Sequence, residues 1–397
     1  MELVTLSKKN MSWNSIIGQN RVKSILKGVI SNKRLPNAFL FFGGEGIGKD
    51  AAAIEIAKIL NCSKVNILDQ NPITKSEIEA CEECENCLKF RRLQHPNFKM
   101  VFALPRGKNE KDHDDSPLDK LTTAEIEDIK EQISKKSRNY YHRLNISGAR
   151  EIRIISIREV KKLASLSTTE GAYKVFLISN ADELNTEAAN SFLKLLEEPP
   201  ERTLFILTTS RKENILPTIV SRCQDLFFDD LSMEEIEYGL KTFFQFEESK
   251  ARLLSQLSGG SFSRALKLTD DNYNEMRNNV VTFLRLILSN KFQNIFEEIE
   301  SLLGEKDKVK LQIFLSMILI WMRDLFLIKE GLNDKIVNMD QLESLESFNS
   351  KLPNADVFSS INSVEEAIKL IERNVGLQII FYNLIINLRK SILLKTT

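Results

Sequence analysis

The 397-residue sequence predicts an α/β domain with a parallel sheet, followed by a chain that is helical to its end. Three observations predict this order. Short apolar runs alternate with segments of helical spacing up to about residue 230, as in strands joined by crossover helices. A glycine-rich turn joins one of these runs to a helix. Beyond residue 230 the strand signals stop, and only helical patterns follow.

The elements of the α/β part are predicted in order along the chain. The first helix is expected at 22–30, where Val22, Leu26 and Ile30 share one face. The apolar run 38–42 predicts a buried parallel strand, and a helix is expected at 51–60. After a cysteine-rich segment, strands are predicted at 101–104, 152–157, 175–178 and 204–208, and helices at 158–166, 187–198 and 215–220.

Two further segments are defined by charge and hydropathy. Residues 105–150 are polar and include the charged run 108–115, which predicts a solvated, partly helical insertion. The apolar run 311–328 is interrupted by Gln312, Arg323 and Asp324. A membrane-spanning helix needs about 20 nearly uncharged residues, so this run predicts a buried helix of a bundle.

Composition narrows the class of protein. Lys+Arg and Asp+Glu both number 55, so the net charge is zero. A protein that holds nucleic acid alone by phosphate contacts is usually basic, and this class is therefore disfavoured. Residues 1–13 lack the apolar core of a signal peptide. A cytoplasmic, reducing location is expected, in which five cysteines would not form a disulfide framework.

A phosphate-binding loop is predicted at residues 43–49. The frame Gly43-Gly-Glu-Gly46-Ile-Gly48-Lys49 follows a predicted strand and opens a helix, which is the context such a loop requires. Its backbone N–H groups and the helix N-terminus would face a phosphate chain, and the lysine would reach the terminal phosphates. Gly43, Gly46, Gly48 and Lys49 are therefore the predicted nucleotide-binding residues.

The next residue departs from the pattern. A hydroxyl that holds Mg²⁺ belongs after the lysine, and this chain has Asp50. A carboxylate 4 Å from a phosphate charge is repelled by about 4 kcal/mol at an effective dielectric constant near 20. Two interpretations remain open: Asp50 stabilises the positive end of its own helix, or it ligates Mg²⁺ directly.

The cysteines predict a metal site. Cys81-x-x-Cys84-x-x-Cys87 is a tight cluster, and Cys62 lies upstream. Four thiolates suit a tetrahedral, structural Zn²⁺ without an open coordination position. Because Cys62 is distant in sequence, His95 is an alternative fourth ligand. An iron–sulfur cluster is a further alternative for three close cysteines.

Several motifs in the first 230 residues resemble the clamp-loader branch of the AAA+ family. These are Trp13-Asn-Ser-Ile-Ile-Gly-Gln19, the segment 35–43 and, most specifically, Ala188-Ala-Asn-Ser-Phe-Leu-Lys-Leu-Leu-Glu-Glu-Pro-Pro200. His95-Pro-Asn97 and residues 170–175 are similar to the delta-prime branch of that family. The resemblance implies an AAA+ domain at 1–229 with a zinc module at 62–87 and the insertion at 105–150, a helical lid at 230–272 and a helical collar domain for oligomerisation at 273–397.

The resemblance also indicates which catalytic groups are missing. Active relatives carry Asp-Glu after the strand 175–178, where this chain has Ser179 and Asn180, neither of which is a base near neutral pH. The second-sensor arginine is expected at Ser263, but Arg264 lies one place along, a turn of about 100° on a helix. Together with Asp50, these changes predict no intrinsic ATPase activity and make ATP binding doubtful.

One functional group is kept. In the resembling family Ser221-Arg222-Cys223 carries an arginine finger, which acts in trans on the nucleotide of a neighbouring subunit. The resemblance thus implies a stator subunit of the DNA polymerase III clamp loader. Its partners would be the gamma/tau ATPase and delta subunits, with the sliding clamp and primed DNA reached through the complex and no membrane involved. The alternative is an active gamma/tau-type ATPase.

Overall fold

The computed structural model describes residues 12–65, 74–107, 116–166, 173–269, 272–289, 292–304, 308–373 and 375–393. The chain divides into two compact units. The N-terminal unit comprises Met1–Phe246 and Gly260–Arg264, and the C-terminal unit comprises Glu247–Gly259 and Ala265–Thr397. The division into three parts at 229 and 272 stays a prediction.

A parallel sheet forms the centre of the N-terminal unit, as the sequence predicts, and it has five strands. Its order is β2-β3-β4-β1-β5, with β1 at Ala38–Gly43, β2 at Phe98–Val101, β3 at Lys174–Ile178, β4 at Thr203–Thr209 and β5 at Gln224–Phe228. Because the strands are parallel, their carboxyl ends meet at one edge, where open α/β sheets bind ligands. The phosphate-loop frame and Ser179 follow directly on β1 and β3, and Thr208 lies near the end of β4.

Helices pack on the sheet and make up most of the other described residues. Those of the N-terminal unit are α1 (Asn20–Ser31), α2 (Lys49–Leu60), α3 (Glu85–Arg91), α4 (Thr123–Arg138), α5 (Ile154–Ser165), α6 (Thr186–Glu197), α7 (Pro217–Val220) and α8 (Met233–Phe244). Next come α9 (Glu248–Leu257), α10 (Phe262–Lys267), α11 (Asn272–Leu288), α12 (Phe292–Leu303), α13 (Lys308–Lys329), α14 (Leu342–Lys351), α15 (Val357–Glu372) and α16 (Leu377–Leu393).

Two strand predictions differ from the structure, and one strand was not predicted. The strand expected at 152–157 is wrong, because only Ile152 pairs, in an isolated bridge with Leu184, and α5 already begins at Ile154. Burial of α5 against the sheet overrides the β-branched composition of this run. The strand expected at 101–104 lies three residues earlier, at β2. No strand was predicted at β5. Its burial alternates only over its last residues, because its first two residues are both exposed.

The insertion at 105–150 is not simply solvated. Helix α4 begins with a capping box between Thr122 and Glu125 and buries Ile129 and Lys136. Ile129 packs with Leu121 and Ile146 in a small apolar cluster. The expectation of a solvated surface is therefore wrong for these residues, because the chain folds back onto the N-terminal unit. The charged run 108–115 lies outside the described residues.

Helix α13 contains the apolar run expected at 311–328. Residues Lys310–Lys329 are long and apolar enough to cross a membrane by composition. Most of this stretch is instead buried within the C-terminal unit, including Leu315, Ile318 and Leu325. The prediction of a buried bundle helix is confirmed.

Helix α2, which follows the phosphate loop, is buried on all sides and carries two charges into the interior. Lys58 Nζ contacts Glu55 Oε2 at 2.8 Å and also contacts Glu82 Oε1 in the cysteine-rich segment. Burial raises the pKa of Glu55 to about 7, although Lys58 opposes the shift. Three buried ionisable groups thus depend on one another to tie α2 to residues 81–87.

Replacing Lys58 by Met should destabilise the N-terminal unit by about 3–5 kcal/mol, because Glu55 would lose its cation inside the protein and Glu82 would keep only the longer contact with Arg91, at 3.8 Å. Hydrogen exchange of the α2 amides measures the free energy of opening. Lys64→Met is the matched control: Lys64 pairs with Glu83 at 2.9 Å, but both side chains are exposed. It should leave the exchange of the α2 amides close to that of the wild type, because solvent screens an exposed ion pair. Equal effects of the two substitutions would contradict the buried network.

Candidate functional site

The phosphate-loop frame adopts a tight turn between β1 and α2. Gly43, Gly46 and Gly48 have φ values of 142°, 74° and 103°, which L-residues with a side chain rarely adopt. The Lys49 ammonium does not extend from the loop but donates to the carbonyl oxygens of Gly43, at 2.9 Å, and Gly44. Burial lowers the pKa of Lys49 to about 8, against the raising effect of Asp50 and other nearby carboxylates. The predicted nucleotide-binding residues thus come together, with their lysine engaged by the loop itself.

Asp50 is the centre of a hydrogen-bond network at the carboxyl edge of the sheet. Its Oδ2 accepts from Lys136 Nζ at 2.8 Å and from Ser179 Oγ at 2.8 Å, and its Oδ1 accepts from Thr208 Oγ1 at 2.7 Å. Neither interpretation of Asp50 made from the sequence included Lys136. This lysine lies 86 residues away in a polar helix, and no sequence pattern distinguishes it from its neighbours.

The network also determines the ionisation of Asp50. Burial alone would raise the pKa of this carboxyl group, but Lys136 and the Thr208 and Ser179 hydroxyls outweigh it and hold the pKa below its ordinary value. A carboxylate with a lowered folded-state pKa stabilises the fold above its unfolded-state pKa. That contribution is lost as the pH falls through the lowered value. At neutral pH Asp50 is therefore charged and paired.

The acidic residues that follow β3 serve other contacts. Asp182 accepts from Thr209 Oγ1 at 2.7 Å and forms an ion pair with Arg211 Nη2 at 2.7 Å. Asn180 Nδ2 donates to Glu183 Oε1 at 3.3 Å. The side chain that reaches the Asp50 carboxylate from the end of β3 is Ser179. This arrangement agrees with the register inferred from the sequence, in which Asp182 is not the metal ligand.

The second-sensor positions face in different directions. Ser263 is buried, its Oγ donates to the Tyr141 carbonyl oxygen at 2.5 Å, and its backbone N–H donates to the Gly46 carbonyl oxygen at 3.2 Å. Arg264, the next residue, is exposed. The residue that faces the phosphate loop therefore carries a hydroxyl and not a guanidinium.

The four cysteines predicted as ligands form one cluster. The sulfur atoms of Cys62, Cys81, Cys84 and Cys87 all lie within 4.8 Å of one another, and those of Cys81 and Cys87 are 3.9 Å apart. A tetrahedral site with Zn–S bonds of about 2.3 Å places its sulfur atoms roughly 3.8 Å apart. The thiol of Cys87 and backbone N–H groups that include that of Cys81 lower the pKa of Cys62, whereas the contact with Cys62 and burial raise the pKa of Cys87. The donor set fits a thiolate-bound metal ion.

The remaining candidate ligands lie elsewhere. His95 is buried, its ring stacks on that of Phe90 at 4.5 Å, and its Nδ1 accepts from the Asn97 N–H at 3.1 Å. It is not part of the group of close ligand atoms found among the described residues. Cys223 packs against the core beside the sheet, and burial raises its pKa to about 12. Of the two candidates for the fourth ligand, Cys62 is the residue that joins the cluster.

Arg222 follows α7 and lies at the surface of the N-terminal unit. Its Nη1 donates to the Thr218 carbonyl oxygen at 2.9 Å, and its Nη2 pairs with Glu197 Oε1 at 2.8 Å. About a third of the side chain is exposed. Its guanidinium therefore contacts the end of α6 and the first turn of α7, and none of these partners belongs to the phosphate loop.

Two protein-family models match the chain. One, described as "DNA polymerase III, delta subunit", matches residues 18–232, and the other, described as "DNA polymerase III, delta subunit, C terminal", matches residues 272–390. The first match spans more than half of the chain. The resemblance inferred from the motifs is confirmed. The segment 170–175 is one of the two stretches similar to the delta-prime branch. Its first three residues, 170–172, lie outside the described residues.

Individual relatives agree with the family models. The DNA polymerase III subunit delta' of Bacillus subtilis is 28% identical over 384 residues, which cover 96% of this chain and 99% of that protein. The tau subunits of Bacillus subtilis and Escherichia coli are 29% and 27% identical over 65% of this chain. The aligned part spans 37% and 32% of those longer tau proteins.

Solved structures give a weaker likeness. A DNA polymerase III gamma subunit-related protein of Thermotoga maritima matches with a TM-score of 0.32 at 16% identity, over 93% of this chain and 99% of that one. The RuvB Holliday junction branch migration motor of the same organism matches with a TM-score of 0.38 at 15% identity, over 74% and 72%. By its sequence this chain belongs to the DNA polymerase III delta subunit family and is similar within it to a delta-prime subunit.

Proposed function

We propose that this chain is a delta-prime-like stator subunit of the DNA polymerase III clamp loader, which does not hydrolyse ATP but assists hydrolysis by a neighbouring subunit. The observation that carries the proposal is a contrast between the Asp50 site inside the chain and Arg222 at its surface. Asp50, Ser179 and Thr208 satisfy one another and Lys136 inside the chain. Arg222 is kept at the surface.

The composition of the site supports the absence of hydrolysis. A water molecule that attacks a phosphate needs a group to orient it and a cation to neutralise the developing charge. Ser179 and Asn180 replace the acidic pair of active relatives, and the Asp50 carboxylate lies where a metal-holding hydroxyl belongs. An active gamma/tau-type ATPase, the alternative, would have to work without these groups.

The partners follow from the proposed role. Gamma/tau ATPase and delta subunits would complete the hetero-oligomer, and the sliding clamp and primed DNA would be reached through it. The C-terminal residues 273–397 are proposed as the oligomerisation collar, beside a lid at 230–272. Ile379 and Ile386, one heptad apart on α16, are 68% and 64% exposed, as expected of a helix that packs against another subunit. The complex would act in the cytoplasm, at the replisome.

We further propose that the cysteine cluster holds one structural Zn²⁺. The four sulfur atoms are close enough for tetrahedral coordination, and thiolates are the ligands that structural zinc sites prefer. With four protein ligands no position is left for water. The ion would stabilise residues 62–87 and take no part in catalysis.

The isolated chain should show no measurable ATP hydrolysis, with or without primed DNA, because Ser179 and Asn180 stand in place of the acidic pair of active relatives and Asp50 in place of the metal-holding hydroxyl. Phosphate release by the purified protein measures this. Lys49→Ala is the control, since hydrolysis at this site would require Lys49. Sustained release that disappears in Lys49→Ala would reject the stator role and favour a gamma/tau-type ATPase.

One zinc ion should copurify with each chain. Cys84→Ser should lose it and loosen residues 62–87, because three thiolates cannot complete the tetrahedron. Cys223→Ser is the matched control and should keep its zinc, since Cys223 lies outside the cluster. Elemental analysis is the measurement. The assignment would be contradicted by iron in place of zinc, or by full zinc retention in Cys62→Ser.

Arg222→Ala should fold and assemble normally but slow DNA-stimulated ATP hydrolysis and clamp loading by the reconstituted complex. A complete arginine finger is worth roughly 10³–10⁵ in rate, and the loss should be smaller because other subunits act at other sites. Arg222→Lys should rescue poorly, because a point charge does not reproduce the planar fork of a guanidinium. Arg34→Ala, at another exposed arginine, is the control. Loading at the wild-type rate by Arg222→Ala would leave the tripeptide with a structural role only.

A further inference from the structure

The position of the Lys136 ammonium has a consequence beyond the absence of hydrolysis. In active phosphate-loop proteins the hydroxyl after the loop lysine and an acidic residue at the end of a neighbouring strand hold Mg²⁺ between them. Asp50 and Ser179 occupy these two positions here. Lys136 Nζ and Ser179 Oγ both bind the same Asp50 oxygen, each at 2.8 Å. A cationic group of the chain therefore lies where the two metal-holding positions converge.

We propose that Lys136 is a built-in replacement for the metal cation, and that residues 136–143 hold the phosphate loop closed in the absence of nucleotide. This inference rests on the proposed non-hydrolysing role and goes further, because it concerns binding as well as hydrolysis. It also assigns a role to the insertion at 105–150: to supply the group that the loop would otherwise take from solution.

Burial and charge support the replacement. Lys136 is 3% exposed, and an ammonium is buried to that degree only when it is paired. Its positive charge meets the carboxylate that stands in place of the metal-holding hydroxyl, and the Ser179 and Thr208 hydroxyls also donate to Asp50. An ammonium group donates hydrogen bonds and needs an acceptor, preferably a negatively charged one. The carboxylate of Asp50, in place of a hydroxyl, supplies this acceptor to Lys136.

Residues after Lys136 close the loop from outside. Tyr141 is buried and lies against Gly48, where a Cβ atom would be 3.0 Å from the Tyr141 hydroxyl oxygen. That oxygen accepts from the Ile17 N–H at 2.7 Å, and the Tyr141 carbonyl oxygen accepts from Ser263. Arg143 Nη1 pairs with Glu45 Oε1 at 2.6 Å. Under this proposal, a phosphate chain that binds the loop would have to displace these contacts.

The test is whether a free metal ion can take the place of the ammonium. In Lys136→Ala the Asp50 carboxylate and the Ser179 and Thr208 hydroxyls would remain as oxygen donors, the kind of ligand that Mg²⁺ and Mn²⁺ prefer. Hydrogen exchange of the α2 amides in the full chain should become at least about tenfold faster in this variant. Millimolar Mn²⁺ should restore most of the protection, and it should leave the wild-type protein unchanged.

Two controls define the result. Lys135→Ala removes the preceding lysine, which pairs with Glu131 on the surface of α4, and should change neither the exchange nor its response to Mn²⁺. The double variant Asp50→Asn/Lys136→Ala removes both charges and should not respond to Mn²⁺. The replacement is overturned if Mn²⁺ does not protect Lys136→Ala, or protects the double variant equally. If Lys136→Ala folds only with Mn²⁺ present, that rescue supports it. Failure to fold with and without the ion, while the double variant folds, overturns it.

A second measurement separates this inference from the proposed function. MgATP should not slow amide exchange in the phosphate loop of the wild-type chain. Protection by MgATP without phosphate release would show that the loop opens to nucleotide and would overturn the closed loop, while the stator role would stand. Phosphate release would overturn the stator role itself.

Discussion

The structure of the N-terminal unit depends on one partly buried carboxylate and its buried cation. Asp50 would repel any anion at the phosphate loop, and without Lys136 it would itself be a partly buried charge without a cation. The pair joins the start of α2 to the end of α4, and through Ser179 and Thr208 it joins both to the ends of β3 and β4. The chain itself thus links four elements around the position where active phosphate-loop proteins hold Mg²⁺.

The same helix is held at its other end by a second group of buried charges. Lys58 contacts Glu55 within α2 and Glu82 in the cysteine-rich segment, one residue after Cys81. Helix α2 is thus anchored at the phosphate loop by Asp50 and at the cysteine cluster by Lys58. A buried charge that loses its partner is destabilised. We therefore expect a substitution at either end of α2 to destabilise this helix, which has no solvent-exposed face.

The polar groups of the site differ in whether their hydrogen-bonding capacity is used inside the chain or at its surface. Lys49, Asp50 and Ser263 form hydrogen bonds within the N-terminal unit. Arg222 forms a surface ion pair with Glu197, and exposed pairs of this kind contribute about 1 kcal/mol or less. A neighbouring subunit that presents a phosphate could therefore compete for this guanidinium at small cost, which suits a group that acts in trans.

The sequence by itself determined the parallel α/β architecture, the position of the phosphate loop, the missing acidic pair at Ser179 and Asn180 and the three clustered cysteines. These features can be read from the order and spacing of residues along the chain, or from motifs that resemble a known family. Only the tertiary structure decided that Cys62 and not His95 joins the cluster, that Lys136 is the partner of Asp50 and that Ile154 begins a helix. The sequence could not decide these points because residues far apart along the chain meet through packing, and a lysine in a polar helix has the same local pattern whether it faces water or a buried carboxylate.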